Sequence, residues 1–273
     1  MSRSLSNRAF LDFAMEAAWQ AGRTTLAHFQ TGVPVERKSD QSPVTVADRN
    51  AELLLRQAIA ARFPDHAVAG EEFGSSDADS RYRWILDPID GTESFVRGVP
   101  LYGVLVGLEI AGEMVVGVAH FPALGETVAA AKGEGCSCNG RPARVSGVRR
   151  IDQAFLVYTD ARELERREGW TRLQRTTHRQ RGFGDCYGHC LVATGRADIA
   201  LDPLMKPWDC AALVPILQEA GGTFTDWTGA TTIHGGDAIS TNGALFEEVL
   251  RLVRGADSAR EEGRGVVSPN DRL

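Results

Sequence analysis

The sequence predicts an α+β fold, in which helices pack against largely antiparallel sheets. Two segments near the N-terminus carry apolar residues at the spacing of an amphipathic helix. After residue 101, three apolar segments follow one another with only short turns between them, which is typical of a meander. A meander is antiparallel, so the pattern favours an α+β fold over a simple repeat of βαβ units.

The N-terminal region predicts two helices separated by a polar loop. Apolar positions at helical spacing predict a first helix that ends near Phe29. The loop at 38–43 leads into a second helix, for which Thr45 is the expected N-cap and Asp48 lies in the first turn. The expected core face of this second helix consists of Leu53, Leu54, Leu55, Ala58, Ile59 and Phe63.

The middle of the chain predicts strands. The segment 82–86 is β-branched and aromatic, which indicates a buried strand. Because Pro88 forbids central-strand pairing, we expect the backbone to turn there. Further strands with short turns between them are expected at 102–110, 113–120 and 126–131.

The second half predicts a less regular series of elements. A clear helix begins at Pro207 and is ended by Gly221 and Gly222. The other elements expected here are a strand at 154–159, a helix at 162–175, a mixed segment at 185–195, strands at 197–201, 223–225 and 238–240, and a final helix at 244–253.

No repeat or linker divides the chain, which indicates one unit over residues 1–255 with two halves, about 1–145 and about 146–255. Residues 256–273 are charged and small without periodicity, so we expect a disordered tail.

Composition excludes several classes of function. The net charge of −6 leaves no basic surplus for a nucleic-acid backbone. The longest apolar region, 101–121, contains Glu109 and Glu113, so no membrane span is expected, and the N-terminus does not resemble a signal peptide. The five cysteines lack paired Cys-x-x-Cys spacing, which argues against a zinc site and favours reduced thiols in a cytoplasmic protein.

The segment 84–95 carries the strongest chemical signal. An apolar run ends in Asp87 and Asp90, which are close enough on one bend to share a cation. Gly91 allows a ligand to approach the main chain, and Thr92 can open a helix whose free N–H groups suit an anion. Taken alone, the segment indicates either a metal-bridged phosphate site or an ordinary surface turn.

Two more acids favour the metal site. Glu71 and Asp209, like Asp87 and Asp90, lie at the end of a predicted strand or the start of a predicted helix, where side chains face a shared cleft. Mg²⁺ prefers oxygen ligands and is typically completed by substrate phosphate. Two such ions can hold an attacking water and a leaving oxygen, which requires carboxylates from separate segments.

Three motifs in this order resemble the inositol monophosphatase family of Mg²⁺-dependent phosphatases. They are Gly70-Glu71-Glu72, then Asp87-Pro88-Ile89-Asp90-Gly91-Thr92 with Phe95, and then Trp208-Asp209-x-Ala211-Ala212. The resemblance covers residues 5–255 and implies a layered α/β/α/β/α sandwich and a homodimer. Segments 94–103, 184–188, 195–198 and 202–207 are similar to the histidinol-phosphate phosphatase branch of this family.

The resemblance also implies roles for single residues. It implies two Mg²⁺ ions per subunit, one held by Glu71, Asp87 and the Ile89 carbonyl and one by Asp87, Asp90 and Asp209, and it allows a third ion near Glu71. The implied catalytic residues are Asp48, Glu71 and Thr92, with the Asp48–Thr92 pair orienting and deprotonating the attacking water. The implied substrate-binding residues are Glu71, Ile89, Asp90, Gly91, Thr92, Arg181, Asp202 and Asp209.

The residues expected to set specificity each have a plainer interpretation. Asp202 suits the ammonium of a histidinol group, or it is a turn acid before Pro203. Arg181 contacts the phosphate, or it is one surface arginine in a basic run. The alternatives stay open for Glu93 (repulsion of polyanions or a solvent-facing acid), for Lys38 (near the metals or on a mobile loop) and for His189 (catalytic or packed).

The leading hypothesis is a Mg²⁺-dependent phosphomonoesterase that acts on L-histidinol phosphate in histidine synthesis. A phosphatase for inositol phosphates or another small sugar or nucleotide phosphate is the alternative within the same chemistry. The alternative from a different class of function is a non-catalytic regulator that keeps the fold and binds a metal.

Overall fold

The computed structural model describes residues 5–76 and 80–255. The tail predicted at 256–273 lies outside these residues. The helices are α1 (Asn7–Leu26), α2 (Val46–Arg62), α3 (Thr92–Val96), α4 (Ala161–Leu164), α5 (Trp170–Thr176), α6 (Asp185–Ala193), α7 (Pro207–Ala211), α8 (Leu213–Glu219) and α9 (Phe246–Arg254). The strands are β1 (Glu36–Arg37), β2 (Pro43–Val44), β3 (Ala67–Gly70), β4 (Gly74–Ser75), β5 (Tyr82–Asp90), β6 (Gly103–Ile110), β7 (Glu113–Phe121), β8 (Glu126–Ala131), β9 (Gly135–Cys138), β10 (Arg141–Pro142), β11 (Phe155–Tyr158), β12 (Arg179–Arg181), β13 (Ile199–Asp202), β14 (Thr223–Thr225) and β15 (Ala238–Thr241).

The strands form two large sheets and a small hairpin. An eight-stranded sheet has the order β10-β9-β8-β7-β6-β5-β3-β4, and only its β3–β5 pair is parallel. The predicted meander is the antiparallel β6–β7–β8 portion of this sheet. A five-stranded mixed sheet has the order β12-β11-β13-β15-β14, and β1 pairs with β2 in the hairpin.

The two sheets and the helices stack in five layers, which confirms the predicted α/β/α/β/α sandwich. Helices α1 and α2 cover one face of the larger sheet and bury a core that includes Trp84 and Leu55. Helices α6, α7 and α8 lie between the two sheets. Helices α5 and α9 cover the outer face of the smaller sheet around Trp170.

Strand β5 continues past the point where the sequence predicts a turn. It pairs with β6 as far as Asp87, shifts register, and pairs again at Asp90 opposite Gly103. Pro88 lies in this irregular stretch, where a missing N–H breaks no ladder hydrogen bond. The prediction of a strand end was therefore wrong, but the bulge does place both acids on one bend.

Three predictions for the second half of the chain were also wrong, two of a helix and one of a mixed segment. The helix expected at 162–175 is two helices, α4 and α5, and Gly169 between them lies so close to the backbone of Val253 that a side chain there would clash. The helix expected from Pro207 breaks at Ala212, because Pro215 cannot donate a hydrogen bond to the Ala211 carbonyl. Segment 185–195 is largely helical, and its residues are buried on most sides, so it carries no amphipathic pattern.

The first helix ends at Leu26 rather than near Phe29. Residues 38–42 of the predicted loop form the turn of the β1–β2 hairpin, and Pro43 already belongs to β2. The predicted N-cap is confirmed, since the Thr45 hydroxyl accepts a hydrogen bond from Ala47 at the start of α2. The hairpin carries Lys38, whose ammonium forms ion pairs with Glu71 and Glu72.

Candidate metal and phosphate site

Asp87, Asp90 and Asp209 converge in the structure. The first two lie on the bulge of β5, and Asp209 lies in the first turn of α7, which packs against β5 and β6. One carboxylate oxygen from each lies within 4.8 Å of the other two. No other such group of three or more metal-type side chains occurs among residues 5–76 and 80–255.

The three acids create an unfavourable concentration of negative charge. Burial, together with repulsion from neighbouring acids, raises the pKa of Asp87 and of Asp90 well above the ordinary value. Burial also raises the pKa of Asp209. Backbone N–H groups hold the three side chains in place: Ile89 donates to Asp87 (3.0 Å), Cys186 to Asp90 (2.6 Å) and Lys206 to Asp209 (2.7 Å). Oxygen donors fixed this closely suit a divalent cation such as Mg²⁺, which would offset the repulsion.

Glu71 is not a member of this group of three and forms an ion pair instead. The Lys38 ammonium donates to Glu71 (2.7 Å) and to Glu72 (2.5 Å). Burial raises the pKa of Glu71 to about 7, although the hydrogen bond from Lys38 acts in the opposite direction. Burial alone would lower the pKa of Lys38, but its hydrogen bonds to the two glutamates raise it. Lys38 therefore lies at the site, as one of the two sequence interpretations expected.

Glu52 supports the turn that carries Glu71, and the sequence did not identify it. Its buried carboxylate accepts hydrogen bonds from the backbone N–H groups of Glu72 (2.7 Å) and Phe73 (3.3 Å) and from Arg56 Nε (2.7 Å). It also lies so close to Gly70 that any side chain there would clash with it. The available signal was the spacing of Glu52 and Arg56 at i, i+4, which allows an ion pair along the helix.

Gly91 and Thr92 follow the bulge and begin α3. Gly91 has a φ of +83°, a left-handed conformation that favours glycine. The Thr92 hydroxyl donates to the Ile89 carbonyl at 3.0 Å and lies 3.4 Å from Asp48 Oδ1. The other oxygen of Asp48 accepts from the Thr45 N–H (2.8 Å) and hydroxyl (2.7 Å). Asp48 thus caps α2 and also faces Thr92, so its two interpretations are compatible.

A second pair of acids, Asp185 and Asp202, adjoins the first group. Asp202 is buried and accepts hydrogen bonds from the Thr159 hydroxyl (2.7 Å) and the Leu204 N–H (3.2 Å). Burial raises the pKa of Asp202 to about 7, and burial with repulsion from Asp209 raises the pKa of Asp185 to about 6. The sequence motif containing Asp185 was noted, but its side chain was not assigned to the site.

The contacts of the remaining candidates, as far as the structure describes them, do not involve these acids. Arg181 is exposed on β12 and donates to the Gln180 carbonyl, and none of its described contacts involves the acids. Glu93 is exposed and pairs with Arg37 and Arg97, as expected of a solvent-facing acid. His189 is buried against Ser240, and burial lowers its pKa to about 3, so it is a packed residue. The cysteines are free thiols.

Comparison with known proteins identifies the family to which these motifs belong. The sequence profile described as "Inositol monophosphatase family" matches residues 6–258. The chain belongs to the inositol monophosphatase family. As a member of this family it is a phosphoric monoester hydrolase that acts on small phosphomonoesters.

Individual members of the inositol monophosphatase family resemble the chain along nearly their whole length. A histidinol-phosphatase of Chlorobaculum parvum is 44% identical over 255 residues, which cover 92% of this chain and 98% of that protein. A histidinol-phosphatase of Mycobacterium tuberculosis is 41% identical over 249 residues, covering 88% and 96%. The extragenic suppressor protein SuhB of Bartonella henselae superposes with a TM-score of 0.85 at 28% identity, covering 90% of this chain and 98% of that one. Within the described residues, no helix is both long and apolar enough to cross a bilayer.

Proposed function

We propose that this protein hydrolyses L-histidinol phosphate to L-histidinol and inorganic phosphate with the help of Mg²⁺. The observation that carries the choice of substrate is the buried carboxylate of Asp202 beside the group of Asp87, Asp90 and Asp209. A buried acid next to a phosphate site favours a leaving group with a positive charge, and the ammonium of histidinol supplies one. The histidinol-phosphatases that resemble the chain support the same substrate.

The chain's residues fit the proposed metal. Asp87, Asp90 and Asp209 provide clustered oxygen donors, and Glu71 and the Ile89 carbonyl would complete the sites for two ions. When bound, Mg²⁺ makes a water more acidic and neutralises charge on the phosphate and the leaving oxygen. The Lys38 ammonium forms an ion pair with Glu71. Glu71 would have to leave this ion pair in order to ligate a metal.

The residues around Thr92 are placed to assist the attack of water on phosphorus. The N–H groups of Gly91 and Thr92, at the start of α3, would bind phosphate oxygens. The Thr92 hydroxyl would take up a proton from the water and pass its own proton to Asp48, whose Oδ1 lies 3.4 Å from the hydroxyl oxygen. Burial raises the pKa of Asp48, which makes it a stronger base. As the new phosphorus–oxygen bond forms, the phosphorus–oxygen bond to the leaving group breaks. The leaving oxygen keeps the electron pair and takes a proton from solvent water to give histidinol.

Other details of the proposal rest on the family resemblance. Contact of Arg181 with the substrate, a third metal ion, a homodimer and a cytoplasmic location remain predictions. The alternative substrate is an inositol phosphate, because hydroxyl groups can also donate hydrogen bonds to Asp202.

Replacing Asp202 with Asn tests the choice of substrate. Wild-type protein with Mg²⁺ is expected to release phosphate much faster from L-histidinol phosphate than from inositol 1-phosphate. In D202N, kcat/KM for histidinol phosphate should fall about 10- to 100-fold, since a charge-assisted hydrogen bond contributes about 1.5–3 kcal/mol. The loss should be smaller for inositol 1-phosphate, which carries no ammonium.

The matched control is D226N. Asp226 is also buried and accepts hydrogen bonds from Thr228 and Ala230, but none of these contacts involves the acid group. Equal rates on the two substrates in the wild type, or a preference for inositol 1-phosphate, would overturn the proposed substrate and leave the metal chemistry intact.

A further inference from the structure

We propose that Arg167 is a positioning residue for the metal site, because it fixes the segment of backbone that leads into Asp209. This segment, residues 203–206, joins β13 to α7 and lies outside every helix and strand. The inference rests on the proposed use of Mg²⁺ and concerns how the chain holds one of the ligands. Arg167 acts through the segment and not by contact with the metal or the substrate.

The end of segment 203–206 sets the position of the Asp209 carboxylate. The backbone N–H of Lys206 donates a hydrogen bond to Asp209 Oδ2 at 2.7 Å, and the Lys206 carbonyl accepts one from the Asp209 N–H at 3.1 Å. A carboxylate bonded this directly to the segment moves with it. Any displacement of the segment therefore changes the geometry of the oxygen donors at the site.

The guanidinium of Arg167 makes three contacts at the start of the segment. Its Nη2 donates to the Pro203 carbonyl oxygen at 2.9 Å. Its Nη1 forms an ion pair with Asp237 Oδ2 at 3.0 Å, and its central carbon lies 5.0 Å from the centroid of the Trp227 ring. The ion pair and the aromatic ring hold the guanidinium in the orientation that reaches Pro203.

The groups that hold Arg167 are connected to one another and to the same segment. Asp237 Oδ1 accepts a hydrogen bond from the Trp227 N–H at 3.0 Å. The Gly236 carbonyl, next to Asp237, accepts one from the Met205 N–H at 2.9 Å. The chain just before β15 thus anchors the segment twice, once directly through the backbone and once through the arginine.

The arrangement requires the shape of an arginine as well as its charge. A planar guanidinium can donate to a carboxylate and to a carbonyl while one of its faces lies on an aromatic ring. A lysine has the same charge but a single nitrogen, so it cannot hold all three groups in this geometry. The contacts of Arg167 also stabilise the fold, and a test has to separate this effect from positioning.

Replacing Arg167 with Met in the full-length protein removes the ion pair and the hydrogen bond but keeps an unbranched side chain. The dissociation constant of Mg²⁺, measured by calorimetry after EDTA treatment and dialysis, should rise about tenfold, as is typical when support for a metal ligand is lost. Phosphate release by R167M should recover when the Mg²⁺ concentration is raised. If R167M does not fold, R167K provides the same comparison, because it keeps a positive charge beside Asp237.

The matched control is R196M. The Arg196 side chain is 37% exposed, against 36% for Arg167, and it also pairs with a carboxylate and lies over an aromatic ring, those of Glu126 and Tyr187. None of these contacts involves segment 203–206. Both variants should lower the midpoint of urea unfolding in EDTA, but only R167M should bind Mg²⁺ more weakly.

Two results would overturn the positioning role of Arg167. Wild-type Mg²⁺ affinity in folded R167M, or an equal loss of affinity in R196M, would leave Arg167 as a residue that only stabilises the fold. A wild-type protein that does not bind Mg²⁺ would instead overturn the proposed function, and the calorimetric titration of the wild type distinguishes this failure from that of Arg167 alone.

Discussion

Replacing Asp87 with Asn is expected to lower kcat for phosphate release by at least about 10³-fold. Asp87 is the acid shared by both proposed metal sites, and loss of metal-ion catalysis removes several kcal/mol of transition-state stabilisation. The variant should also lose Mg²⁺ binding in a calorimetric titration. Full activity, or unchanged Mg²⁺ affinity, in D87N would refute the assignment of this residue as a metal ligand.

The same substitution is expected to stabilise the metal-free protein. The pKa of Asp87 is raised in the folded state by burial and by repulsion from Glu71 and Asp90. An acid with a raised folded-state pKa binds more protons when folded, so the stability of the protein falls as the pH rises above the unfolded-state value of about 4. In EDTA, urea unfolding should therefore show wild type losing stability relative to D87N between about pH 4 and neutral pH. Parallel curves for the two proteins would contradict this explanation.

Replacing Glu52 with Gln is expected to affect both stability and metal binding. The carboxylate accepts two backbone hydrogen bonds and one from Arg56. In glutamine an NH₂ group replaces one of the two carboxylate oxygens, and this group cannot accept a hydrogen bond. The free energy of unfolding should therefore fall by about 2–4 kcal/mol. Because Glu52 holds the turn that carries Glu71, Mg²⁺ affinity should fall at least about tenfold.

The control for E52Q is E36Q. Glu36 also pairs with an arginine, Arg49, but both side chains are exposed. Such a pair contributes little, so E36Q should change unfolding and Mg²⁺ binding only slightly. Wild-type Mg²⁺ affinity in E52Q would show that the turn keeps its position without this carboxylate.

Local features of the site were predictable because they are encoded in adjacent residues. Asp87, Asp90, Gly91 and Thr92 lie on one bend, as the motif indicates. The approach of Asp209 was not predictable from periodicity, because it depends on how α7 packs against β5 and β6 in the middle layer. The family resemblance supplied that information.

Two supporting acids were missed for different physical reasons. Glu52 lies on a helix with many charged residues, and only tertiary packing shows that its face is buried. Asp185 begins a helix that is buried on most sides, so the segment showed no amphipathic period and was interpreted as mixed. The bulge at Pro88 was missed because a proline in a strand pattern normally signals an end.

Phosphate release from L-histidinol phosphate by EDTA-treated protein, before and after Mg²⁺ is added back, directly tests the role of the acid group. We expect no measurable release in EDTA and full recovery with Mg²⁺ in the wild type, and no recovery in D87N. Unchanged release in EDTA would contradict a metal-dependent reaction at Asp87, Asp90 and Asp209.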